Sequence, residues 1–167
     1  MNQTTRKTIM ASMFAALCCV ATMIIKIPSP MLKGYMNLGD SVVLLSGFMM
    51  TPLYGFLAAG IGSALADIFL GYSVYIPATF VIKGSMALSA HFIFKALQKK
   101  TGNTPARIIS GTVAEIIMVL GYFMFEGIIY GFAPASVNIP ASIMQGIAGL
   151  VLGVILAKIF EKNKISL

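Results

Sequence analysis

Charge is scarce in this sequence. Lysine, arginine, aspartate and glutamate together make up 10% of its 167 residues, while 58% are hydrophobic. Soluble domains carry about 25% charged residues, so a water-soluble domain is excluded and the natural solvent is lipid. Histidine occurs once, as His91, and cysteine only as the adjacent pair Cys18 and Cys19. Neighbouring residues on a helix point in different directions, so this pair offers neither a metal site nor an ordinary disulfide and reads as core filler. A lone histidine gives no metal cluster either. The sequence contains no nucleophile elbow, phosphate-cradling glycine loop or zinc motif. We therefore expect no catalytic residue, no metal, no cofactor and no ATP-hydrolysing site in this chain.

Long apolar runs are what the sequence has instead. In lipid the backbone must satisfy its own hydrogen bonds, which leaves helices or a closed barrel, and unbroken runs without strand alternation select helices. Six are predicted, over 8–25, 38–50, 53–70, 77–97, 105–126 and 138–160, forming one transmembrane domain over 1–167. The first run follows Arg6 and Lys7 as a secretory signal would, but further runs follow it, and Ala11, Ala15 and Ala16 lie at its start rather than at a cleavage site. It is read as a spanning helix. Pro52 separates the second and third helices by removing a backbone donor. The second is consequently short of the ~30 Å hydrocarbon core and is expected to be tilted, shielded by neighbours or extended by the preceding loop.

The formal net charge of +7 suits nucleic acid in a soluble protein, but here position decides. With both termini inside, Arg6, Lys7, Lys95, Lys99, Lys100, Arg107, Lys158, Lys162 and Lys164 fall inside, Lys26 and Lys33 fall outside, and Lys83 lies within the fourth helix. That bias follows the positive-inside rule. The expected fold is an all-α integral membrane protein, a six-transmembrane-helix bundle with N-in/C-in topology in a prokaryotic-type plasma membrane, with the lipid bilayer and no nucleic acid as partner. The outer connections are then 26–37, 71–76 and 127–137, and the inner ones a tight turn at 51–52 and the polar stretch 98–104. Pro28, Pro30, Gly34, Gly71, Gly131 and Pro134, with Tyr35, Tyr72, Tyr75 and Tyr130, suit a shaped lid over an outward-facing pocket. Interfacial anchoring by tyrosine is the alternative.

Ionisable residues inside apolar spans need a partner, water or the bundle interior. They are Asp40, Asp67, Lys83, His91, Glu115 and Glu126. Asp40, Asp67, Lys83 and Glu126 share the outer half, either as a ligand site or with Asp67 and Lys83 as an ion pair between helices. Glu115, Tyr122 and Glu126 project from one helical face, and Asn138, Ser142 and Gln145 from another. Amide groups suit a neutral heterocycle with hydroxyl and ring-nitrogen groups, and the acids suit an amine or pyridinium. Interhelical hydrogen bonding is the alternative use of the amides. His91, in the inner half, reads as structural. Ala11 and Ala15, with Ser12 and Ala16 repeating the spacing, permit close helix approach, to a partner or within the chain. Gly55, Ala59 and Ser63 form a similar face expected to pack internally.

The small-xxx-small start of the first helix, the run GYMNLGD over Gly34–Asp40, the segment TPLYGFLAAGIGSALADIFLGY and the segment PATFVIKG together resemble the substrate-binding S components of energy-coupling factor (ECF) transporters. The resemblance covers nearly the whole chain. It is greatest to the riboflavin-type group, which includes components for hydroxymethylpyrimidine and vitamin B6 forms. It implies high-affinity capture of a vitamin from outside by the first loop and the outer ends of helices four to six. It also implies docking through the alanines of helix one onto a transmembrane coupling protein with two ATP-binding subunits, followed by toppling to release substrate inside. By position, Ala11 and Ala15 match the alanine motif, and Lys83, Tyr122, Glu126, Asn138 and Gln145 lie where ligands are held. Tryptophan is absent, which leaves Tyr35, Tyr75, Tyr122 and Tyr130 to stack on an aromatic ring. The expected substrate site is thus Tyr35, Asp40, Tyr75, Lys83, Tyr122, Glu126, Asn138 and Gln145. The resemblance implies hydroxymethylpyrimidine or a vitamin B6 form as substrate, with riboflavin the alternative, and two other readings remain: an intramembrane enzyme using Asp67, Glu115 or Glu126, and a structural or pore-forming bundle.

Overall fold

The computed structural model describes residues 2–28 and 35–163. Pro30, Lys33, Gly34 and Lys164, which enter the loop and topology readings, lie outside the described residues. Among the described residues six α-helices run in chain order: α1 (Gln3–Ile24), α2 (Gly39–Met49), α3 (Pro52–Leu70), α4 (Ile76–Thr101), α5 (Asn103–Tyr130) and α6 (Phe132–Lys162). A 3₁₀ turn at Ser73–Tyr75 precedes α4, and strands β1 (Lys26–Pro28) and β2 (Tyr35–Asn37) pair antiparallel between α1 and α2. Apart from these strands the described residues form the expected helical bundle. At three residues each the strands are too short to show an alternating pattern.

Five helices are long and apolar enough to cross a membrane, and α2 is the shorter sixth. Its 11 residues span only ~16 Å at 1.5 Å per residue. The protein resolves this by shielding: every α2 residue from Gly39 to Phe48 is buried, packed among α6, α4, α1 and α3. A helix hydrophobic all round belongs in such a place, and Val43, Leu44 and Leu45 are wholly enclosed. The outer helices show the opposite face. Met13, Leu17, Val20 and Ile24 on α1, and Ile116, Leu120, Met124 and Ile128 on α5, are exposed. Stripes of this kind at three- and four-residue spacing would aggregate in water and suit lipid.

Close helix approach, rather than hydrophobic drive, holds helices together in a bilayer. A Cβ added to Gly47 of α2 would lie 2.6 Å from the Ala87 carbonyl oxygen of α4, and one on Gly149 of α6 would lie 2.6 Å from Asp40 Cβ. Gly55, Ala59 and Ser63 are buried within the bundle, where Ser63 Oγ meets Cys18 Sγ of α1 at 3.3 Å. Cys18 and Cys19 are buried free thiols. His91 donates from Nδ1 to the Gly47 carbonyl at 3.1 Å, which joins α4 to α2.

Two connections expected to be loops are not. The stretch 98–104 reduces to Gly102 between α4 and α5, and 127–137 reduces to Gly131 between α5 and α6. Both glycines adopt positive φ, +84° and +95°, which reverses the chain in one residue where a side chain would be strained. Pro134 misled the sequence reading because it sits in the first turn of α6, where a missing N–H leaves no helical bond unmade. The inner ends of α5 and α6 are tied by Arg107 to Glu161 at 2.9 Å, which brings the basic ends of α4, α5 and α6 to one side.

Candidate functional site

Opposite that basic end, β2, the 3₁₀ turn and the outer turns of α3 to α6 surround a cavity. It is lined by Tyr35, Asn37, Asp67, Tyr75, Thr79, Lys83, Tyr122, Glu126, Asn138, Ser142 and Gln145, with Thr22, Ser63 and Met118 at its floor and side. Every residue expected to bind substrate lines it except Asp40. That carboxylate is fully buried behind the wall, where Lys83 donates to Oδ1 and Gln145 Nε2 donates to Oδ2 at 2.6 Å. The ion pair weighed between Asp67 and Lys83 therefore does not form. Lys83 goes to Asp40 because the short α2 stands between α4 and α6 and presents its first turn to both.

Gln145 is used at both ends, since its Oε1 accepts from the Asn37 backbone N–H at 3.0 Å. Asn37 in turn accepts from the Gly39 N–H at 2.9 Å and so begins α2. The chain Lys83–Asp40–Gln145–Asn37 fixes strand β2 against α6 and leaves Asp40 with both oxygens bonded, as a buried charge requires. Glu115 lies deeper than the rest of its helical face. It is buried outside the cavity beside Gly146 and Gly149, whereas Tyr122 and Glu126 reach the cavity wall.

A second network holds the mouth. Glu126 accepts from Tyr75 at 3.2 Å and from Asn138 Nδ2 at 3.0 and 3.1 Å, which clamps the 3₁₀ turn, α5 and α6 together. Tyr122 and Thr79 share a hydroxyl contact of 3.1 Å, and the Lys83 ammonium stands 5.4 Å from the Tyr122 ring centre. Tyr35 donates to Asp67 Oδ1 at 2.8 Å. Its phenol pKa is raised, first by burial and then by the Asp67 carboxylate, so it remains a donor. Ring contacts link Tyr35 to Tyr72 at 4.6 Å and Tyr72 to Tyr75 at 6.5 Å. Tyr75 in turn meets Tyr122 and Tyr130. These tyrosines form one connected group, of which Tyr35, Tyr75 and Tyr122 line the cavity.

The site also contains residues that sequence reasoning passed over. Thr79 stands one turn before Lys83 on the same face of α4, so i, i+4 spacing was an available signal. Asn37 lay inside the GYMNLGD run. Nothing in the sequence pointed to Thr22 or Ser63, which enter through the approach of α1 to α3. Ala11 and Ala15 are half-buried against the core, with Ser12 and Ala16 on the exposed side of the same stretch.

Comparison with known proteins agrees with this architecture. Residues 2–162 match the model of the family described as ECF-type riboflavin transporter, S component. An uncharacterized protein of Pyrococcus woesei is 38% identical over 145 residues, covering 86% of this chain and 94% of that protein. The thiamine precursor transporter HmpT of Lactococcus lactis subsp. cremoris (strain MG1363) is 24% identical over 165 residues, covering 98% and 93%. Among solved structures, the S component of a bacterial ECF transporter superposes with a TM-score of 0.71 at 24% identity, covering 96% of this chain and 98% of that one. The S component for biotin from an ECF-type ABC transporter superposes with 0.62 at 18%, covering 94% and 93%. These two establish the fold. The family match settles the enzyme and pore readings, for the chain belongs to the ECF-type riboflavin transporter S component family, multi-pass membrane proteins that serve as the substrate-binding subunits of vitamin importers.

Proposed function

We propose that this S component captures hydroxymethylpyrimidine, or a vitamin B6 form of the same one-ring size, from outside the cell. The observation that carries this reading is the narrowness of a richly polar cavity. Its volume is about 40 Å³. A single water needs roughly 10–15 Å³, so the unliganded cavity holds a few waters, and one small ring requires less widening of it than three fused rings with a sugar-like tail. Tyr35, Tyr75 and Tyr122 supply ring faces, while Asn138 and Ser142 offer both donors and acceptors. The Lactococcus relative, a thiamine precursor transporter, supports the same size, since hydroxymethylpyrimidine is the pyrimidine half of thiamine. The test is native mass spectrometry of the detergent-purified chain with hydroxymethylpyrimidine, vitamin B6 forms, thiamine and riboflavin. A saturable adduct with a one-ring compound is expected. A saturable adduct with riboflavin alone would reverse the assignment.

Import then draws its energy from a transmembrane coupling protein and two ATP-binding subunits, which dock on α1 at Ala11 and Ala15. Small residues there leave room for a partner helix. Leucine at both positions is expected to reduce cellular uptake to background while ligand binding by the purified chain is unchanged. The same exchanges at Ser12 and Ala16 separate the docking face from its exposed neighbour. Normal uptake by the Ala11→Leu, Ala15→Leu protein, or loss of binding along with uptake, would remove the docking role. In the latter case the alanines serve the contact with α3.

A further inference from the structure

Most polar groups around the cavity are already bonded to protein. Lys83 is held by Asp40, Gln145 is bonded at both ends, Glu126 accepts from Tyr75 and Asn138, and Thr79 and Tyr122 bond each other. Asp67 differs. It is 3% exposed and lines the cavity, and its Oδ1 accepts from Tyr35. Among the described residues that line the cavity, its Oδ2 is the buried side-chain oxygen with no hydrogen-bond partner.

A buried carboxylate oxygen without a donor is costly, and a donor delivered to it gains correspondingly. The Thr79 hydroxyl borders the same carboxyl without making a hydrogen bond to Oδ2, and it shares a contact with the Tyr122 hydroxyl. The Lys83 ammonium lines the same cavity but is bonded to Asp40. A second carboxylate, Glu126, faces the same space. The cavity wall thus holds a buried acceptor that no protein group satisfies.

Resting on the one-ring assignment above, we infer that Asp67 Oδ2 is the specificity-determining acceptor for the substrate. The ligand class it selects is a heterocycle that brings an exocyclic amine or a protonated ring nitrogen to that oxygen. A carbonyl oxygen placed there would set acceptor against acceptor in a dry site. Sites built to bond a particular donor reject analogues that lack it, because the buried acceptor is then left unpaired. Tyr35 contributes by orienting the carboxylate through Oδ1.

The experiment compares hydroxymethylpyrimidine, whose ring carries an exocyclic amine, with the analogue that has a carbonyl oxygen in place of that amine. Calorimetry measures both against the wild-type chain and the Asp67→Asn variant, with thermal unfolding to check folding. The wild type is expected to prefer the amine by about 100-fold. Asp67→Asn is expected to lose about 10- to 100-fold in affinity for the amine and to bind the two compounds nearly alike. Equal affinity of the wild type for both would overturn the inference without reference to any variant. So would full affinity for the amine in folded Asp67→Asn, with the one-ring assignment left standing. Failure of the wild type to bind either compound would overturn the hydroxymethylpyrimidine assignment and the reading of its amine by Asp67 together.

Discussion

Asp40→Ala is expected to lower folding stability by about 3–5 kcal/mol, the usual consequence of removing one partner from a buried ion pair. Asp40 is fully buried and Lys83 is 3% exposed, so with Asp40 gone the ammonium has only the narrow cavity it lines to turn to. The loss leaves an ammonium unpaired among α2, α4 and α5, together with a Gln145 amide that has lost its acceptor. Thermal unfolding in detergent reads the effect as a large fall in melting temperature. The double exchange Asp40→Leu, Lys83→Met replaces both charges with apolar groups of similar bulk and is expected to recover much of that loss, because desolvation offsets most of the pair's attraction in the parent. A melting temperature of the alanine variant equal to the parent's would show that the pair does not hold α2 in place.

Gln145 carries the second large effect, because it connects the buried charge to strand β2. Gln145→Ala leaves Asp40 Oδ2 and the Asn37 N–H without partners, a penalty of about 1–3 kcal/mol for each buried group so orphaned. Gln145→Glu keeps the shape but removes the donor and sets a carboxylate against a carboxylate, so it is expected to be the more destabilising of the two. Both variants free β2 from α6, so faster amide exchange at Asn37 and Gly39 is expected along with weaker ligand binding. If Gln145→Glu proves as stable as the parent, the hydrogen-bonded chain from Lys83 to Asn37 is not what anchors the strand.

Sequence and structure part at identifiable places. Pro52 correctly marked α2 as short, because the loss of a backbone donor is a local event. Gly131 and Pro134 looked like loop for an equally local reason, yet a cap and a first turn accept the same residues. The outer polar cluster was legible because charged and amide groups stand out in apolar runs. The pairing within it was not. Asp40 and Asp67 were both possible partners for Lys83 by depth, and the choice turned on which helix stands beside α4.

The membrane setting, the number of helices and their orientation follow from the sequence by itself. They depend on the length of apolar runs and on which connections carry lysine and arginine, properties that need no knowledge of neighbours. Tertiary structure decided that α2 is enclosed, that Asp40 belongs behind the cavity wall, and that Asp67 lines the cavity with a buried Oδ2 that no donor meets. Those outcomes depend on close approach between helices at glycines such as Gly47 and Gly149, and a helix carries no record of which partner will approach it.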